Sequence, residues 1–202
     1  MEYKWLNRDN NKNLIVFFNG WGMDESVVKH LEPEEYDVLM FYDYNNLETD
    51  FDISTIKKYK QRYLIAWSMG VMIGSLFPIE YNSKIAINGT LKPIDAKYGI
   101  NPKIYDLTIN GFNEKSCKKF ILNMFETDVN LTIGREFENQ KAELVAIKNY
   151  IAKDNFEYNK IFISENDKII PTKNQINYWN KQQNLKGGHC PFFSFKKWSE
   201  LL

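Results

Sequence analysis

The sequence predicts an α/β fold in which a mostly parallel central sheet is covered by helices on both faces. Three observations carry that expectation. Short, continuously apolar runs such as Leu14–Phe18 read as strands buried on both faces, because a half-exposed strand would alternate. Helical stretches separate successive runs, which implies right-handed crossovers between parallel strands. The run Leu64–Trp67 ends at Ser68 and resumes beyond Gly70, as a strand does when it turns sharply into a helix.

In chain order, Tyr3–Leu6 reads as a short edge strand before a polar turn. Leu14–Phe18 follows as a buried strand and ends in Asn19-Gly20-Trp21-Gly22-Met23-Asp24. Glycines directly after a buried strand suggest a loop whose backbone approaches something closely, and Asp24 can cap a helix carrying Val27, Val28 and Leu31. A dinucleotide-phosphate loop is disfavoured, because Glu25 stands where the third glycine is needed. Tyr36–Tyr42 is the next strand, ending at Asp43. After a helical segment around Ile53–Tyr59, Arg62–Trp67 enters the elbow and Gly70–Phe77 leaves it, stopped by Pro78. Lys84–Asn88 is another strand, closed by Gly89.

From about 91 to 158 the rhythm breaks. A loop with Pro93, Gly99 and Pro102 leads to a helix in which Cys117, Phe120, Ile121, Met124 and Phe125 recur at helical spacing. A weaker helix carries Phe137, Leu144, Ile147 and Ile151. Two amphipathic helices between successive strands suggest a short helical cap inserted over one end of the sheet, although ordinary crossover helices fit the periodicity equally well. Strand character returns at Lys160–Ser164, followed by Glu165-Asn166-Asp167, a helix over Thr172–Trp179 and a last short strand at Gln183–Lys186. Beyond Gly187-Gly188-His189-Cys190, Ser194 can cap a closing helix with Phe195, Trp198, Leu201 and Leu202 inward.

At 202 residues the chain is long enough for one domain with a substantial core and too short to expect two. Lysine plus arginine and aspartate plus glutamate both number 26, so the overall balance gives no reason to expect nucleic acid or a membrane surface as partner. The N-terminal stretch has no apolar region of signal-peptide length. The longest uncharged run, Leu64–Ile79, falls short of the ~18 residues of a membrane helix. These features, with only two cysteines, Cys117 and Cys190, and no metal-type pairing between them, suit a reducing, cytoplasmic setting.

The chemistry gathers around Ser68. An elbow that exposes a serine hydroxyl needs small residues two positions either side, a requirement that Gly70 meets and Ala66 nearly does. A serine hydroxyl is a poor nucleophile near neutral pH, so it needs a base, which in turn needs an orienting acid. The chain has two histidines. His30 is most simply a solvated surface residue, whereas His189 lies in a Gly-Gly-His turn after a late strand. Asp167 follows a buried strand and precedes Ile169-Ile170-Pro171. Asp43, also after a strand, is its rival and Glu165 a weaker one, and the commoner role of any such aspartate is a cap or turn. The order Ser68, Asp167, His189 matches that of the α/β-hydrolase fold. An oxyanion hole would draw one backbone N–H from Met69, after the nucleophile, and one from Trp21 in the early glycine loop. Such a donor is worth ~3–4 kcal/mol of barrier. Cys190 reads as a packed, reduced thiol. Lys115, Lys118 and Lys119 read as a solvated face, with an acidic carrier protein as the sharper alternative.

Three segments, Phe17–Asp24, Ala66–Val71 and Gly188–Phe193, resemble the BioG-type esterases that act on the methyl ester of pimeloyl-acyl carrier protein in biotin synthesis. Tyr98–Ile104, Thr108, Lys119-Phe120 and Met124-Phe125 are similar to that family's cap, although Asn123 stands where the family often looks more basic. The resemblance covers nearly the whole chain. It implies Ser68 as nucleophile, His189 as base, Asp167 as acid, and Trp21 and Met69 as oxyanion donors. It also implies an acyl carrier protein bearing a methyl-pimeloyl chain as partner, with no metal or organic cofactor. A broader short-chain carboxylesterase or thioesterase is the rival reading, and a non-catalytic hydrolase-like binding module the rival from another class.

Overall fold

The computed structural model of the chain describes residues 1–125 and 131–202. Among these residues one seven-stranded sheet runs in the order β1-β3-β2-β4-β5-β6-β7. The strands are β1 (Glu2–Asn7), β2 (Asn13–Phe18), β3 (Tyr36–Tyr42), β4 (Gln61–Trp67), β5 (Ser83–Ile87), β6 (Lys160–Ser164) and β7 (Gln183–Leu185). Every pair is parallel except β1 with β3, which places the antiparallel strand at an edge. The helices are α1 (Ser54–Lys57), α2 (Gly70–Leu76), α3 (Pro102–Gly111), α4 (Glu114–Asn123), α5 (Phe137–Ile147) and α6 (Thr172–Tyr178). None of the described helices is long and apolar enough to cross a membrane.

The two-residue period of a strand divides the core into two layers. Leu14, Val16 and Phe18 of β2, with Leu64 and Ala66 of β4, face Val71, Met72 and Ile73 of α2. Ile15 and Phe17, with Ile65 and Trp67, point the other way, onto Val27, Val28, Phe192, Trp198 and Leu201. Both faces of the central strands are therefore sealed, which is why their sequences do not alternate.

Several elements differ from the sequence expectation. The helix after Asp24 is only a 3-10 turn, Glu25–Val27, although Asp24 does cap it by accepting from Ser26 N at 2.9 Å and Val27, Val28 and Leu31 are buried. The closing segment is likewise two 3-10 turns, Phe192–Ser194 and Trp198–Leu201. Trp198 and Leu201 bury against the sheet without a full helical turn of partners, so packing rather than helix propensity sets their place.

Between β5 and β6, over the stretch read as a cap, the described residues form three helices where two were expected. The added one is α3, which begins with Asn101 accepting from Lys103 N at 2.9 Å and Pro102 in its first turn. Asn-Pro opening a helix is itself a start signal, since proline's missing N–H is one of the orphans there. Helix α5 stops at Ile147, leaving Ile151 82% exposed. Its inward face is Gln140, Glu143, Leu144 and Ile147, so two of four positions at helical spacing are polar. Residues 126–130 of the expected cap lie outside the described residues.

Candidate active site

Strand β4 delivers Ser68 into a left-handed backbone conformation, with φ of 57°. A non-glycine residue there carries strain that its surroundings must hold. They do so through Ser68 N, which donates to Ile87 O of β5 at 3.0 Å, and through the start of α2 two residues on. Gly70 is required by contact. A Cβ at that position would sit 2.4 Å from Phe18 O and 2.5 Å from Asn19 O, where the end of β2 crosses the elbow.

Asp167 follows β6 and sits in a tight turn of its own making. Its Oδ1 accepts from Ile169 N at 2.9 Å and Ile170 N at 3.0 Å, while Oδ2 accepts from Gln175 Nε2 of α6 at 2.8 Å. The turn-forming role and the partner role thus fall on different oxygens of one carboxylate. His189 is fixed by its main chain, whose carbonyl accepts from Trp67 Nε1 at 2.8 Å and Asn88 Nδ2 at 2.9 Å. Asn88 also donates to Ser164 Oγ at 2.7 Å and accepts from Ser164 N at 2.7 Å, stitching β5, β6 and the histidine loop together.

These constraints bring the three side chains into one relay. His189 Nδ1 lies 2.8 Å from Asp167 Oδ2, and His189 Nε2 lies 2.8 Å from Ser68 Oγ. A carboxylate can only accept, so Nδ1 carries the proton and Nε2 of the neutral ring is left to accept from the serine hydroxyl. All three residues are buried, His189 to 1% exposure. Ser68, His189, Trp21 and Met69 line a cavity of about 210 Å³ whose other walls include Tyr105, Phe120 and Leu144 from the helices between β5 and β6, and Met124 just beyond α4. Among the described residues neither the Trp21 nor the Met69 backbone N–H has a hydrogen-bond acceptor.

The rival residues lie elsewhere. Asp43 accepts from Asn45 Nδ2 at 2.5 Å and Asn139 Nδ2 at 2.8 Å and pairs with Arg135 at 3.2 Å, away from both histidines. Burial pushes its carboxyl up, but the Asn139 hydrogen bond and the Arg135 charge outweigh this and hold it below the usual aspartate value. Glu165 is exposed. His30 is less free than expected, with Nε2 3.0 Å from Phe192 O and its ring stacked on Phe193 at 4.8 Å. The Cys190 thiol is buried, and burial raises its pKa far above the usual range. Lys118 pairs with Glu114 at 2.8 Å, and Lys119 lines a groove between α3 and α4. Among the described residues no group of three or more His, Cys, Asp or Glu is gathered as a metal site would require.

Sequence reading missed the supports: Gln175, Asn88 and Glu143. Gln175 and Glu143 had a usable signal, since each is a polar residue in phase with the inward face of its helix. Asn88 had none, because an asparagine ending a strand looks like any turn former.

Residues 1–201 match the family model described as pimeloyl-ACP methyl esterase BioG. The chain is 39% identical over 186 residues, 86% of its length, to a malonyl-acyl carrier protein O-methyltransferase of Bacteroides fragilis. It spans only 38% of that longer protein. Among solved structures, it superimposes on BioG from Haemophilus influenzae with a TM-score of 0.91 at 32% identity, covering 100% of this chain and 99% of that one. An α/β-hydrolase fold protein from Burkholderia ambifaria matches with a TM-score of 0.60 at 14% identity, over 93% and 87% of the two chains, a likeness of fold alone.

Proposed function

The chain belongs to the BioG family, and from that membership we propose that it is a serine esterase that removes the methyl group from a pimeloyl chain carried on acyl carrier protein. The observation that carries the reading is the Ser68–His189–Asp167 hydrogen-bonded relay opening into a largely apolar cavity. Ser68 Oγ attacks the ester carbonyl while His189 Nε2 takes its proton. Asp167 keeps the imidazole in the required tautomer and balances the imidazolium as it forms. The oxyanion is met by the N–H groups of Trp21 and Met69, which line the same cavity as Ser68. His189 then returns the proton to the leaving oxygen, methanol departs, and water resolves the acyl-enzyme by the same route in reverse.

The acyl chain has a path to follow. The cavity over Ser68 shares Ile104, Thr108, Phe120 and Asn123 with the groove between α3 and α4, so an extended chain can run from the reacting carbon to the surface. In this reading α3, α4 and α5 form a cap that excludes bulk water from the reacting ester, within one domain spanning the chain. A carrier-bound substrate suits a site whose outer groove is open and whose inner end is closed by the relay.

The test is to offer methyl-pimeloyl-carrier and follow methanol and free pimeloyl-carrier. Production of both by the wild-type chain, and loss of both in Ser68→Ala, is the expected result. Equal activity on many small free esters with no preference for the carrier-bound chain would replace this substrate with a broader esterase role.

A further inference from the structure

A buried ion pair lies directly behind the loop that supplies one oxyanion donor, and the mechanism above makes no use of it. Glu143 of α5 is fully buried, and its Oε2 accepts from Arg135 at 2.6 Å, with the Arg135 side chain only 6% exposed. The same Oε2 accepts from Gly22 N at 3.1 Å, and Oε1 accepts from Tyr44 N at 3.0 Å. One turn earlier on α5, Gln140 Nε2 donates to Gly22 O at 3.1 Å and Gln140 O accepts from the Trp21 indole at 2.7 Å. Helix α5 therefore holds both peptide groups of Gly22 and the side chain of Trp21. Gly22 itself has φ of 72°, a conformation other residues rarely adopt, so this loop has a geometry worth holding.

Stability alone is a poor reason for such a pair. Removing two charges from water costs several kcal/mol per ion, and well-packed apolar replacements of similar volume are often neutral or better. What an apolar pair cannot do is accept the Gly22 N–H. A hydrogen bond there fixes the plane of the Trp21–Gly22 peptide, which follows directly on the Gly20–Trp21 peptide that carries the Trp21 N–H, and Trp21 lines the cavity beside Ser68. Oxyanion donors act through pre-set direction, since a donor that must reorganise at the moment of reaction loses much of its effect.

We propose that Glu143, charged and held by Arg135, is a positioning residue that aims the Trp21 N–H at the developing oxyanion, coupling the helices over the site to the chemistry at Ser68. This rests on the esterase reading, and it adds a residue that touches neither substrate nor the reacting atoms. Asp43 and Asn139 complete the assembly from the other side of Arg135, where Arg135 pairs with Asp43 at 3.2 Å and also donates to Asn139 Oδ1.

The experiment compares Glu143→Gln, the double variant Arg135→Met/Glu143→Leu and Ser68→Ala, using a p-nitrophenyl ester as substrate and a trifluoromethyl ketone as a mimic of the tetrahedral oxyanion. Positioning predicts that Glu143→Gln lowers kcat about 10- to 100-fold, short of the ~10²–10³ for deleting a donor outright, with KM within about two-fold and inhibitor affinity weakened in parallel with kcat. The double variant restores apolar packing, so its Tm should return towards wild type while kcat stays low. A purely structural role predicts the opposite, with activity recovering as Tm does, and that result overturns the proposal. So does wild-type kcat in a folded Glu143→Gln, or a fall in kcat with unchanged inhibitor affinity. Should Glu143→Gln fail to fold, the double variant carries the same readout, and failure of both to fold assigns the pair to stability and overturns positioning. Full activity in Ser68→Ala would instead sink the esterase reading itself, which separates the two failures.

Discussion

Ser68, Asp167 and His189 each hold a conformation that their own neighbours impose, and the consequences can be read one side chain at a time. Ser68→Ala removes the only hydroxyl bonded to His189 Nε2 among the described residues, so activity should fall about ten-thousand-fold or more, as when a nucleophile is deleted from a comparable relay. Steady-state kinetics on the purified variant checks it. Asp167→Asn keeps the turn bonds to Ile169 and Ile170 but can hold the imidazole in the wrong tautomer, and should cost about 10³–10⁴-fold in kcat. Asp43→Asn should cost far less, because Asp43 faces Arg135 and two asparagines instead of a histidine. The reverse ranking would transfer the acid role to Asp43. At this scale the candidate site was largely legible: a chain with two histidines, one elbow serine and a late post-strand aspartate leaves few combinations. Gln175 and Glu143 showed only in their helical phase, which marks them as inward without naming a partner, and Asn88 not at all, because a buried polar partner is defined by what it meets across the fold.

Among the elements, the strands were the most readable and the 3-10 turns the least. Continuous apolar runs mark β2, β3 and β4 because each is covered on both faces. The segments over Val27 and Trp198 bury apolar side chains against the sheet yet stay as single turns, too short for helical hydrogen bonds to propagate, so tertiary packing holds them. The elbow offers the sharpest test of element packing. Gly70→Ala would drive a methyl group to 2.4 Å from Phe18 O, and backbone oxygens at the end of a parallel strand have little room to move. Overpacking of that kind costs about 1–3 kcal/mol, visible as a lower Tm, and it should also lower kcat by displacing Ser68. A Gly70→Ala variant with wild-type Tm and kcat would show that the elbow is looser than the geometry indicates.

For the whole molecule, the Arg135 assembly ties the helices between β5 and β6 to the sheet, and its acids respond to pH with opposite signs. Asp43 has a native pKa below its reference of 3.8, so the folded state releases its proton more readily than the unfolded one. Its contribution is present above that reference and is lost as pH falls through the lower native value. Burial raises Glu143 above its reference of 4.5, ahead of the opposing Arg135 charge, so its own contribution favours the fold at low pH and is lost as pH rises through the native value. Asp43→Asn should therefore be less stable than wild type near neutral pH, with the gap in Tm closing as pH is taken below 3.8. A gap that widens on acidification would reverse the assigned sign. By itself the sequence determined the α/β class and the order along the chain of the candidates Ser68, Asp167 and His189, with Asp43 left as a rival acid, because local apolar patterning and residue scarcity are properties of the chain alone. Only the tertiary structure decided that Asp43 lies with Arg135 and Asp167 with His189, that α3, α4 and α5 stand over the site, and that Glu143 sits behind the Trp21 loop. Those are facts of distance between segments far apart in sequence, set by how two buried layers close around one sheet.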